Sequence, residues 1–341
     1  MLRHQIEDMP FDPELSPGAA NAIHTCLNLQ PEERITLVLG KECLEEGAAL
    51  LHEVKKTGAE YAVFVLEDYC PRPCVDIPHD ILHDLKQSQV SIYAAHAKTN
   101  ELHARTEITR SVNAHRIRHG HMVNLSRKIM MQGMRANFWE VDALSTRVID
   151  QARQTHVIRA KTPAGTDIEA HFSSTLHWIK TSGLITSTKW GNLPGGEIFT
   201  SPFRVDGIFV VDGVVGDYLC DKYGDLKASP LYIEIEDSRI RKLACDNQAL
   251  LADFEAYVAI DENADRVGEF AIGTNLAVTE IIGNILQDEK IPGIHLAFGD
   301  PYWEHTGQKW QSKGHIDCVG RDFDIWMDGD QIMKSGKFTL Q

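Results

Sequence analysis

From Ile35 to about residue 154, short apolar runs alternate with amphipathic helical stretches, and then the alternation stops. ITLVLG (35–40) suits a buried strand, and KECLEEGAALLHEVKKTG (41–58) carries Leu50, Leu51 and Val54 at helical spacing, with Gly58 as a C-terminal stop. AEYAVFVLE (59–67) and VSIYAAHA (90–97) read as further strands, with HDILHDLKQS (79–88) as a helix between them. ELHARTEITRSVNAHRI (101–117), HGHMVNL (119–125) and FWEVDALSTRVIDQARQ (138–154) continue as helix, strand and helix. Repeated βα units require a parallel sheet covered by helices. The expectation is therefore an α/β fold whose N-terminal half is a doubly wound parallel sheet. The turn after its first strand, LGKECLEEGA, lacks G-x-G-x-x-G, and the chain contains no P-loop, so no dinucleotide site is expected.

Beyond residue 155 the texture is different. HVIRAKTPAGTDIEAHF (156–172) reads as two strands joined at a Pro/Gly turn. RVDGIFVVDGVVGD (204–217) and SPLYIEIEDSRI (229–240) are strand pairs with Gly and Asp turns. One helix is expected, over TNLAVTEIIGNILQDEK (274–290). The division is into an α/β domain, 1–155, and a β-rich α+β domain, 156–341. A chain of 341 residues is long enough for two domains.

Composition excludes several classes of function. With 43% hydrophobic and 24% charged residues the chain is globular rather than disordered. Its 34 Lys and Arg against 49 Asp and Glu give a net charge of −15, which repels phosphate backbones and argues against nucleic acid as a partner. The nearest approach to a basic block, RIRHGH (116–121), is short. No apolar run is long enough for a spanning helix, and MLRHQIEDMPFDPELS has no signal-like core, so neither a membrane nor export is expected. Seven cysteines show no framework spacing. Cys70 and Cys74 flank a Pro-Arg-Pro turn but no second pair follows, so neither a zinc site nor a redox pair is expected there, and a reducing cytoplasm fits best.

The second half places polar residues where they are costly. Glu197 lies in NLPGGEIFTSP, Glu269 in VGEFAIGTN and His295 in GIHLAFG, each flanked by apolar residues. His315 and Asp317 are two apart in KGHIDC, a spacing that aims both at one face of a strand. A carboxylate in an apolar segment is expensive unless paired or metal-bound. Carboxylates and imidazoles without thiolate suit zinc, cobalt, manganese or iron(II). Two histidines and three carboxylates offer enough donors for two ions.

These segments resemble the metallopeptidase family of the thermophilic aminopeptidase T and the staphylococcal aminopeptidase S. WGNLPGGEIFTSP is similar to that family's first metal-glutamate segment and GEFAIGTN to its second, which maps Glu197 and Glu269 onto ligands. DEKIPGIHLAFGDPY is similar to a segment that supplies a metal histidine, here His295, and an active-site tyrosine seven residues later, here Tyr302. GHID is similar to the ending that supplies the last two ligands, His315 and Asp317. Glu289 is a further candidate ligand, although it stands one residue farther from the histidine than in that pattern. The motifs span Trp190 to Asp317. The resemblance implies a homodimer of two-domain subunits that removes N-terminal residues from peptides with a pair of divalent ions. Within it, Glu269 is the candidate proton relay and Tyr302 the candidate donor to the oxyanion.

Two other readings use the same residues. His295, His315 and Asp317 form the two-histidine, one-carboxylate set of mononuclear iron(II) oxygenases, and a ring-cleaving dihydroxypyridine dioxygenase is similar to this peptidase family. The presence of both Glu197 and Glu269 favours the peptidase. A non-catalytic, metal-binding relative is the third reading.

Overall fold

In the computed structural model, which describes residues 6–340, the chain divides into two compact units. The first runs through Trp139 and regains the segment Gly183–Gly195; the second is Glu140–Ser182 with Gly196 onward. The division thus falls within the first turn of the helix Phe138–Ala152, between Trp139 and Glu140, rather than at residue 155. That helix supplies Leu144, Val148, Ile149 and Ala152 to the core of the second unit. Its apolar stripe, rather than its place in the βα alternation, decides where it packs.

The first unit holds the expected parallel sheet. The strand Arg34–Leu39 lies between Glu60–Val65 and Val90–Ala94, and Arg118–His121 follows. A fifth parallel strand, Gly191–Asn192, closes the edge and comes from the returning segment. Helices Leu44–Thr57, His79–Leu85 and Leu102–His115 connect the strands. Leu44–Thr57 ends at Gly58 with φ +80, the left-handed cap that glycine adopts without strain.

RIRHGH is not a basic surface patch. His119 and His121 are buried in the first unit, where Ser91 Oγ meets His119 Nδ1 at 2.8 Å and His119 Nε2 meets His121 Nδ1 at 3.2 Å. His121 stacks on Tyr93, and Trp190 contacts both imidazoles edge-on. Burial pushes His119 down to about 3 and His121 well below its usual value. An unfolded histidine takes up a proton below about pH 6.5, whereas these stay neutral in the fold. Stability of this unit should therefore fall as pH drops from there toward 3, by about 1.4 kcal/mol per pH unit for each histidine. Denaturation midpoints measured across that range check this. The slope should flatten in His119→Gln, and an unchanged slope would remove the histidines as its source.

Cys70 and Cys74 are joined by a disulfide, contrary to expectation. The Pro-Arg-Pro turn brings their Cα atoms to 6.0 Å, within bridging range. No helix among the described residues is long and apolar enough to cross a membrane.

The second unit contains two antiparallel sheets. Eight strands run in the order 239–244, 231–236, 204–211, 167–171, 157–161, 324–327, 330–334 and 337–338. Five more run in the order 315–319, 293–299, 267–273, 197–200 and 179–181. The helix expected over 274–290 forms only at Ile285–Asp288. Gly283 is left-handed at φ +76, and the Asp288 carboxylate accepts the backbone N–H groups of Ile282, Gly283 and Asn284. Amides held by a side chain are not available to a helical ladder.

Candidate metal centre

Strand register brings the sequence-derived donors together. Glu269 pairs with Ala297 and Ala297 with Asp317; His295 pairs with Ala271, and Gly299 with His315. Glu197 pairs with Gly273. Residues directly opposite in a sheet share a face, as do residues two apart on a strand. All five donors therefore stand on one face of the five-stranded sheet. The alternate positions, among them Ile198, Phe270, Ile272, Leu296, Phe298 and Cys318, turn into the core. Between the donors, strands 267–273 and 293–299 carry the small residues Ala271, Gly273, Ala297 and Gly299, while Phe199, opposite Ala271, stands on the same face.

The donor atoms converge. His295 Nε2 lies 3.3 Å from Glu269 Oε1, 3.7 Å from Glu197 Oε2 and 3.9 Å from Asp317 Oδ1. His315 Nε2 lies 3.2 Å from Asp317 Oδ1 and 3.8 Å from Glu269 Oε2. Glu289 joins them despite its extra residue of spacing. Ligand atoms of Glu289, His295 and Asp317 lie within 4.8 Å of one another, as do those of Glu197, Glu269 and His295. His315 Nδ1 donates to the Asp300 carbonyl at 2.8 Å, which leaves Nε2 with its lone pair toward the other donors, available to a metal. Glu269 Oε2 is buried with no hydrogen-bond partner, a cost that a bound cation removes. Nitrogen and oxygen donors at this density fit a divalent metal.

Electrostatics agree with that assignment. With no metal bound, burial opposes charge on His295 and His315, but the carboxylates around them prevail and hold the imidazoles at about 9 and about 10. Burial works against charge on Asp317 too, yet His315 holds its carboxyl at about 2. Burial raises Glu269 above the usual carboxylate range against the pull of both histidines. Metal uptake must therefore displace protons from the histidines and weaken as pH falls.

Two residues at the site carry more than the sequence reading assigned them. Lys290 is buried; its ammonium donates to Glu197 Oε1 at 2.6 Å and to Glu289 Oε1. Thr181, on the adjacent edge strand, donates to the same Glu197 oxygen at 2.8 Å. Lys290 escaped the sequence reading because DEK looked like the solvated end of a helix. Its only signal was a cation directly before the apolar Ile-Pro-Gly-Ile run. Tyr302 adopts a left-handed backbone, φ +49, and its ring lies 4.5 Å from that of His315 and 5.8 Å from that of Phe199. The residue is 42% exposed, but burial at the hydroxyl and the carboxylates near it push the phenol well above its usual value, so it stays a proton donor.

Residues 142–320, just over half of the chain, match the model of the thermophilic metalloprotease family, M29, and this stretch contains every donor named above. The chain belongs to that family. The M29 fold is also evident among solved structures. AmpT from Thermus thermophilus superposes with a TM-score of 0.71 at 16% identity, over 97% of this chain and 100% of that one. A 2,5-dihydroxypyridine dioxygenase from Pseudomonas putida superposes with a TM-score of 0.69 at 13% identity, over 97% and 99%. No curated protein sequence matches significantly. The M29 chain thus shares its whole architecture with a protein named as a dioxygenase, so its chemistry must be argued from the site.

Proposed function

We propose that this M29 chain is a metal-dependent aminopeptidase, acting on peptides with a free N-terminus. The observation that carries the reading is the convergence of Glu197 and Glu269 with His295, His315 and Asp317 on one sheet face, within the matched family region. Glu269, His295, His315 and Asp317 would hold a zinc, cobalt or manganese ion. Such an ion supplies an activated water and polarises the scissile carbonyl. Glu269, if it holds the ion through Oε2 alone, would use its other carboxylate oxygen to accept the water proton and return it to the leaving amine. Tyr302 donates to the oxyanion. The acidic surroundings suit the ammonium of a peptide N-terminus. The reading needs one activating ion; a second, expected from the number of donors, depends on Glu197 and Glu289 being free to ligate. The homodimer implied by the sequence resemblance belongs to the same proposal, and a molar mass measured in solution tests it.

The activity test uses aminoacyl-anilides and short peptides after reconstitution with zinc, cobalt or manganese. Release of the N-terminal residue is expected, with N-acetylated peptides left intact. Oxygen uptake on a dihydroxylated aromatic ring with iron(II), without peptide cleavage, would replace this reading by the dioxygenase. Metal binding with neither activity would leave the non-catalytic relative.

A further inference from the structure

We infer that the Lys290 ammonium is a built-in cation occupying the place of a second metal, so that the centre takes one divalent ion, at Glu269, His295, His315 and Asp317. The inference rests on the reading of this cluster as a metal centre. The two candidate donor triads of this sheet face overlap at His295. Glu197 and Glu289 are the carboxylates that a second ion would need in addition to the other four donors. Both give Oε1 to Lys290.

Lys290 has no room to withdraw. Its side chain is 1% exposed, and a buried ammonium is tolerated only while paired. Its backbone is fixed on two sides: its N–H donates to the Gln287 carbonyl at 2.8 Å, and its carbonyl accepts from Asn275 N–H at 3.1 Å. The chain at 290–291 also presses against the sheet at Gly273, the residue opposite Glu197. A Cβ on Gly273 would stand 1.9 Å from the Ile291 carbonyl oxygen and 2.8 Å from the Lys290 carbonyl carbon. The glycine therefore lets the lysine backbone approach the glutamates it neutralises. Glu269 Oε2, by contrast, has no hydrogen-bond partner and, among the described residues, no lysine or arginine beside it; the cationic group facing it is His315 Nε2 at 3.8 Å, an imidazole whose proton a metal ion can displace. One side of the cluster is thus compensated by a fixed ammonium, and the other by imidazoles that can exchange their protons for an ion.

The test counts ions. The full chain is equilibrated with excess zinc, freed of unbound ion and analysed for metal per chain, with peptide hydrolysis assayed in parallel. One ion is expected in the parent and two in Lys290→Met, where Glu197 and Glu289 lose their cation. Should Lys290→Met fail to fold, Glu197→Gln serves instead and is expected to keep one ion. Two ions in the parent would overturn the inference and leave the peptidase reading standing. A variant count unchanged in Lys290→Met, or a loss of the ion in Glu197→Gln, would also overturn it. One ion without hydrolysis would sink the peptidase reading alone. No ion at all would remove the metal centre and this inference with it.

Discussion

Glu269→Gln should lower kcat/KM for peptide hydrolysis by about 10²–10⁴-fold, the range for loss of a positioned general acid–base group. The substitution is nearly isosteric, and Glu269 is 4% exposed, so side-chain volume and packing are preserved. Under the proposed mechanism, what disappears is an acceptor for the water proton and one anionic donor to the ion. Steady-state kinetics with circular dichroism as the folding control would measure the effect. Hydrolysis close to the parent's would show that Glu269 neither moves a proton nor holds the ion.

Phe298→Ala should destabilise the second unit by about 3–5 kcal/mol, the usual cost of truncating a buried aromatic. Phe298 is fully buried, stands perpendicular to Phe254 at 6.3 Å between ring centroids, and shares a strand with His295. The cavity would open on the reverse of the sheet that carries the donors. Urea unfolding followed in this unit would give the loss, and metal affinity should weaken with it. A midpoint close to the parent's would mean that the surrounding core collapses to fill the gap.

The donors were legible in the sequence for one reason. Glu269 and His295 interrupt strand segments whose other residues are apolar or glycine, His315 and Asp317 stand two apart on a third strand, and period-two alternation then forces them onto a common face. The first-unit sheet was legible through the same logic of period and length. Lys290 was not, because its environment depends on a helix that does not form. Gly283 and the amide-binding carboxylate of Asp288 divert that segment, and both effects are local geometry invisible to hydrophobic periodicity. The strand Gly191–Asn192 was also hidden. Two residues carry no periodic signal, and its partner, Arg118–His121, is distant in sequence. The segment Phe138–Ala152 was legible as a helix, but periodicity does not say which core an apolar stripe will join.

The alternation of donors with core residues makes the centre and the core a single error-checking device. Sliding any one of these strands by a single position would drive ionisable groups into the hydrocarbon interior and lift Phe or Ile into their place. A misregistered intermediate is therefore penalised twice, by buried charge and by stranded apolar surface, before any ligand arrives. Drift in evolution meets the same barrier: a donor can be exchanged in place, but an insertion of one residue within a strand would reverse every donor beyond it. Chemistry on this scaffold can thus diversify through donor identity while the lattice of positions stays fixed.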